Sequence, residues 1–396
     1  MTGVATVPDE AVRDRHPTMP AERYVDRLAR AAAIARERGL DALLIGVGSD
    51  LRYLTGYVAT PLERLTMLVV PADGTPRLVA PRLEAVPARD CPASQAGSVG
   101  VVAWDETEDP YRLVTAPLGV AGSAARIGVS DRLWALHLLR LQAALPAAHF
   151  QSANVVLREL RMRKDEAEVE LLRLAAHAAD RVVAAIAAGR LIGRTERDVA
   201  REVGERLVAE GHDAPEFAIV ASGPNSASPH HEASERVIAA GEPLVLDIGA
   251  PLGGYYSDTT RTLWVTGGEA SRHPDGAFLE IFALARDAQA SARAAVRPGV
   301  ECQDLDAVAR RLIADGGHGE QFIHRLGHGI GLDVHEDPYL VAGNGETLEA
   351  GMAFSVEPGI YVEGRYGVRI EDIVVCGDSG PVDLNESSRE LYVVDG

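Results

Sequence analysis

Apolar positions recur at helical spacing over residues 21–38, and Gly39 follows as a stop. Residues 42–47 (ALLIGV), 66–70 (TMLVV) and 127–129 are short apolar runs with the length and branching of buried strands. The Leu-rich stretch 134–144 returns to helical spacing. Strands alternating with helices predict an α/β N-terminal domain ending near residue 155.

Residues 157–188 read as one long amphipathic stretch with a charged start that includes Lys164, Asp165, Glu166 and Glu168. The domain boundary is placed at its beginning, giving domains 1–156 and 157–396. A further helix is expected at 197–210, ended by Gly211. Short apolar runs then predict strands at 217–221, 244–248, 262–265, 352–356 and 368–375, with helices at 278–296 and 305–315. This second half is α+β, a curved antiparallel sheet backed by helices.

The composition is that of a folded chain: of 396 residues, 46% are hydrophobic and 24% charged. The length favours two domains. A formal net charge of -19, from 39 Lys+Arg against 58 Asp+Glu, disfavours nucleic acid and anionic membranes as partners. Three separated cysteines, without a CxxC pair, argue against a thiolate zinc site and fit a reducing compartment. With no secretory-type start and no run of 18 apolar residues, a cytoplasmic location is expected.

Several acids depart from this pattern. Asp247 lies inside LVLDIG and Glu371 inside VRIEDIVV, runs that otherwise read as buried strands. A buried carboxylate must be paired, protonated or bound to a cation. Asp258 follows Asp247 by eleven residues, about a hairpin return, and Glu357 sits at a strand end before Pro-Gly. Singly, each has an ordinary explanation: Arg261 and Arg369 are available as ion-pair partners, and Asp258 or Glu357 suits a turn. Together with HRLGHGIGLDVHE, which carries His324, His328 and His335 among close-approach glycines, they make a site. One imidazole and four carboxylates form a hard ligand set suited to Mn²⁺, Co²⁺ or Fe²⁺, with Zn²⁺ possible. Four carboxylates overcharge one divalent ion, so two ions and a bridging, hydroxide-forming water are expected.

The segments LDIGAPLGGYYSDTTRT, HRLGHGIGLDVHE, SVEPGIY and VRIED resemble, in order and spacing, those of the pita-bread (creatinase/aminopeptidase) metallopeptidases. The resemblance covers the second domain; DLRYLTGY at 50–57 is similar to the smaller domain of the aminopeptidase P and prolidase branch. It implies Asp247, Asp258, His328, Glu357 and Glu371 as metal ligands, with Asp258 and Glu371 bridging. It implies His230, rather than its neighbour His231, and His335 as substrate-facing histidines, and Glu357 also as the acid/base. His324, Arg369 and Tyr339 would line the substrate pocket.

The activity implied is hydrolysis of Xaa-Pro bonds in small peptides with proline second, by a homodimer. Tyr339 in HEDPY stands where many prolidases carry an arginine for the dipeptide carboxylate, which leaves dipeptidase and longer-peptide aminopeptidase both open. Other readings on this fold are a lyase or amidinohydrolase acting on a small molecule, or a non-catalytic peptide-binding module.

Overall fold

The computed structural model describes residues 17, 19–118 and 124–396, and these form two compact units that part between Arg161 and Met162. Helices of eight or more residues are labelled α1 to α7.

In the N-terminal unit, β1 (Ala42–Gly46), β2 (Met67–Pro71), β3 (Arg77–Pro81), β4 (Gly100–Trp104), β5 (Arg126–Val129) and β6 (His149–Ser152) form one sheet in the order β4-β3-β2-β1-β5-β6. The β1–β2 and β2–β3 pairs are antiparallel and the other pairs parallel. β1 and β2 are buried throughout, as continuous apolar runs require. The unit's longer helices are α1 (Ala21–Glu37), α2 (Ala135–Ala144) and α3 (Asn154–Arg161). Gly39 takes φ +69° just beyond α1, which a glycine adopts without steric cost.

The single helix expected over 157–188 is two. α3 stops at Arg161, and α4 (Glu166–Ala187) starts anew. Between them Arg163 makes a β-bridge with Met352, and the Lys164 amide donates to the Gly351 carbonyl at 2.8 Å, so the chain is extended there. Asp165 then caps α4 by accepting from the amides of Ala167 and Glu168, while Glu168 accepts from the Asp165 amide.

In the C-terminal unit, β7 (Phe217–Ser222), β8 (Glu242–Gly249), β11 (Thr259–Val265) and β19 (Tyr392–Val394) form a sheet ordered β19-β11-β8-β7. The short hairpin β9 (Pro251–Leu252) and β10 (Tyr255–Tyr256) joins β8 to β11. A second sheet runs β13-β12-β14-β17-β18, from β12 (Gly327–Gly329), β13 (Glu336–Leu340), β14 (Ala353–Val356), β17 (Asp372–Cys376) and β18 (Pro381–Asp383). A hairpin of β15 (Gly359–Val362) and β16 (Tyr366–Arg369) interrupts it. The expected strand 368–375 is therefore two strands broken at Ile370 and Glu371, where the chain leaves the hairpin and the Glu371 amide bonds to the Thr260 carbonyl of β11.

Helices cover each sheet. α4 and α5 (Glu196–Ala209) pack Val182, Ile186, Val203 and Leu207 onto Leu244, Leu246, Ile248 and Leu263. α6 (Gly276–Ala294) and α7 (Cys302–Asp315) pack Phe278, Phe282, Leu305 and Ile313 with Phe354, Val356 and Val374. Side chains alternate faces along a strand, so Asp247 on β8 and Thr260 and Thr262 on β11 point away from the first helical layer. Ser355, and Glu357 just beyond β14, point away from the second by the same rule. This pattern turns polar side chains of both sheets inward, and Thr262 and the Arg369 backbone exchange hydrogen bonds there.

Candidate metal centre

The carboxylates and imidazole singled out from the sequence converge at this inner face. Thr260 pairs with Asp247 across β8 and β11, which places Asp258 at the mouth of that ladder. Asp258, His328 and Glu371, all buried, each present a ligand-type atom within 4.8 Å of one another. His328 Nε2 lies 3.5 Å from Asp258 Oδ2 and 3.4 Å from Glu357 Oε1. Glu371 Oε2 accepts from the Thr260 hydroxyl at 2.7 Å.

Local backbone explains the aim of His328. An added Cβ on Gly327 would overlap the Ser355 carbonyl, and one on Gly329 the Asp337 carbonyl, so only glycine fits on either side of the imidazole. The His328 amide donates to Ser355 Oγ at 3.1 Å, and that hydroxyl donates to Glu357 Oε1 at 3.3 Å. Ser355 thus ties together two of the converging side chains. The His335 ring packs edge-on against His328 with centroids 4.1 Å apart, and His335 is itself exposed.

Asp247 is held from one side. Arg369 Nη2 donates to its Oδ2 at 2.5 Å, so the ion pair foreseen for Arg369 is present, whereas Arg261 pairs with Asp372 instead. Asp247 Oδ1 is buried without a hydrogen-bond partner among the described residues. A carboxylate oxygen in that state is expensive unless a cation completes it.

Electrostatics lead to the same conclusion. Burial, then Asp247 and Glu357, push the Asp258 carboxyl well above the ordinary carboxylate range. Burial, then Asp258 and Glu357, do the same to Glu371. Burial lifts Glu357 to about 7 against the pull of Arg369. Burial and the nearby His335 hold His328 well below its usual value, so its imidazole is neutral and able to ligate. Like charges crowded out of water, with an orphaned oxygen and a neutral imidazole among them, are relieved by divalent cations, and the residues fit such ions.

Sequence reasoning missed Tyr361. Its hydroxyl accepts from Arg369 Nη1 at 2.7 Å and lies 2.9 Å from His324 Nε2. His324 Nδ1 faces the Arg325 carbonyl at 2.7 Å, which fixes the neutral Nδ1–H form and turns Nε2 into the acceptor of the tyrosine proton. Burial and the Arg369 charge lower His324 to about 4, and burial raises Tyr361 to about 12. The available signal was glycine: an added Cβ on Gly359 or Gly367 would strike the Tyr361 ring, so the Gly-x-Tyr and Tyr-Gly pattern makes room for it.

Residues 222–234 bring His230 and His231 differently. His231 Nε2 lies 2.8 Å from Glu196 Oε2, while His230 is exposed. The Pro229 carbonyl accepts from Arg369 Nη2 at 3.3 Å. Tyr339 lies opposite His328 in the β12–β13 register, and the Arg325 guanidinium sits over its ring, 4.4 Å from the centroid.

Fold and site together define a metal-dependent hydrolase with the pita-bread fold. Residues 170–378 match the model of metallopeptidase family M24, and residues 27–163 match the creatinase/prolidase N-terminal domain. A probable dipeptidase PepE of Mycobacterium tuberculosis is 47% identical over 375 residues, 94% of this chain and 97% of that protein. An Xaa-Pro dipeptidase of Lactobacillus delbrueckii subsp. lactis is 34% identical, covering 91% and 96%. The crystal structure of dipeptidase PepE from Mycobacterium ulcerans superposes with a TM-score of 0.89 at 47% identity, over 96% of this chain and all of that one. The chain belongs to metallopeptidase family M24 and is a metallopeptidase of its Xaa-Pro peptidase branch. Among the described residues no helix is long and apolar enough to cross a membrane.

Proposed function

We propose that this chain hydrolyses Xaa-Pro dipeptides with two divalent ions, preferentially Mn²⁺, held by Asp247, Asp258, His328, Glu357 and Glu371. The observation that supports it most is the crowding of these buried carboxylates, one with an orphaned oxygen, around a neutral imidazole. Bound ions would bring a water toward its hydroxide form near neutral pH and polarise the scissile carbonyl.

The chain's own groups supply the rest. Glu357, held charged by the ions, would take a proton from the attacking water and return it to the proline nitrogen as the bond breaks. His335, exposed beside His328, would donate to the carbonyl oxygen, and His230, exposed in residues 222–234, would face the substrate. Arg369, drawn onto Asp247 and Tyr361, holds the first ligand in register and leaves His324 neutral. The relatives, dipeptidases, favour dipeptides, and Arg325 and Tyr339, which stack on each other, would meet the substrate's far end. In this reading the enzyme is a cytoplasmic homodimer.

The test is Mn²⁺-loaded protein offered Ala-Pro and Ala-Pro-Ala, followed by release of free alanine. Cleavage of Ala-Pro well ahead of the tripeptide is expected. Comparable cleavage of both makes the enzyme an aminopeptidase, and cleavage of neither overturns the reading. Sedimentation checks the dimer.

A further inference from the structure

Glu196 is an acid of the C-terminal unit that the reaction does not use, and its side chain is fully buried. It occupies the first position of α5, where the helix dipole favours an anion. Its Oε1 accepts from the Ser222 amide and hydroxyl, both at 2.8 Å, and from Asn225 Nδ2 at 3.0 Å. Its Oε2 accepts from the Ser234 amide at 3.1 Å, the Ser234 hydroxyl at 2.6 Å and Asn225 Nδ2 at 3.2 Å, and faces His231 Nε2 at 2.8 Å. One carboxylate therefore clasps both ends of residues 222–234.

The middle of that segment is fixed from β16. Gly367 donates to Ser226 Oγ at 2.8 Å, and Arg369 reaches the Pro229 carbonyl. His230, the next residue, is thus suspended between the Glu196 clasp and the Arg369 strand. Burial alone would raise Glu196, yet the hydrogen bonds from Ser234, Ser222, His231 and Asn225 outweigh it and bring it down to about 2. The hydrogen bonds thus favour the charged carboxylate.

We infer that Glu196 is a positioning residue that sets the course of residues 222–234 and thereby where His230 stands against the acidic cluster. The inference rests on the proposed reading of His230 as a substrate-facing residue. A glutamine is nearly isosteric but replaces one acceptor oxygen with a donor NH₂, so half of the clasp would meet donor against donor.

The experiment is a double-mutant cycle of Glu196→Gln with His230→Ala on metal-loaded enzyme. Misplacement of a substrate-positioning group costs on the order of 10²-fold, so Glu196→Gln alone should lower kcat/KM by about that factor with divalent-ion content unchanged. In the His230→Ala background the same change should add less than about threefold, because the group that it places is gone. Wild-type kcat/KM in Glu196→Gln, or a full multiplicative loss in the double variant, overturns the proposal.

Hydrogen exchange separates this outcome from failure of the functional reading. In Glu196→Gln the Ser222 and Ser234 amides should exchange faster while the Glu371 amide keeps its rate; unchanged exchange at both serines also overturns the clasp. If the wild-type enzyme cleaves no Xaa-Pro peptide, the reading of the site falls and the exchange result alone decides whether Glu196 positions this segment.

Discussion

Glu371 and Asp372 are adjacent, both fully buried, and electrostatically opposite. Asp372 Oδ1 accepts from Arg261 Nη2 at 2.7 Å, and Oδ2 from Gln289 at 2.8 Å and from Arg389. Burial would raise it, but Arg261 and Arg389 overcome that and hold its carboxyl below the ordinary range. Glu371 faces the other way, toward Asp258, Glu357 and Asp247, and burial together with those charges drives it up. Successive side chains of an extended chain point to opposite faces, so consecutive acids meet different neighbours. A buried acid is thus structural where the protein satisfies it fully, and a candidate ligand where it leaves an oxygen or a charge unsatisfied.

The sharpest way to break the contrast is at the ligand side. Asp258→Ala should lower kcat about 10³-fold or more, because losing a ligand of the proposed metal site would forfeit several kcal/mol of charge stabilisation in the transition state. Metal analysis of the same variant should show reduced occupancy, whereas full occupancy with full turnover would place the site elsewhere.

The counterpart on the structural side is Asp372→Asn, which strands the buried Arg261 guanidinium. Loss of one partner from such a pair costs about 3–5 kcal/mol, read as a fall in chemical-denaturation midpoint. Ion content of the protein that remains folded should be normal. An unchanged midpoint would show that Arg261 is satisfied by its carbonyl contacts alone.

Acid and base should also act oppositely on the two. In chelator-stripped protein, Glu357 is carried from 4.5 to about 7, so its neutral form belongs to the folded state. The stability from that group is fully present below about 4.5 and is lost as pH rises through about 7, by up to about 1.4 kcal/mol per unit. Asp258 and Glu371, also raised, add in the same direction, while Asp372, lowered, contributes above its ordinary pKa and loses that contribution as pH falls. Melting of stripped and Mn²⁺-loaded protein across this range checks the sign: loading should remove the decline toward neutral pH, since ligation needs the charged forms. A stripped protein whose stability rises from pH 5 to 7 would contradict the crowding argument.

The mildest test is Tyr361→Phe. It removes the hydroxyl shared by His324 and Arg369 and should lower kcat/KM about tenfold, equivalent to one buried hydrogen bond left unmade. Normal ion content is expected, and a loss as large as that of Asp258→Ala would make Tyr361 a direct participant.

Much of the C-terminal unit was legible because its signals are local. Asp247 and Asp258 flank a ladder whose apolar alternation is plain, and the glycines around His328 advertise close approach. Illegible parts depend on contacts between distant segments. The extended link at Arg163 and Lys164 exists because Gly351 and Met352 run beside it, and the amphipathic pattern across 157–188 carries no trace of that strand. The interruption at Glu371 needs the Thr260 carbonyl, 111 residues away, as does the bond between their side chains. Tyr361 and Glu196 were missed for the same reason: an aromatic in a hairpin and an acid opening a helix are ordinary locally, and only their partners make them particular.

Gly327 and Gly329 have a consequence for anyone remodelling this pocket. A library randomised across HRLGHGIG would return glycine at both positions in every active clone, because the neighbouring carbonyls leave room for nothing larger. On the proposed reading, diversity in substrate choice is to be sought at Arg325, Tyr339 and the 222–234 segment, which makes the imidazole-bearing strand a fixed template and its surroundings the adjustable part.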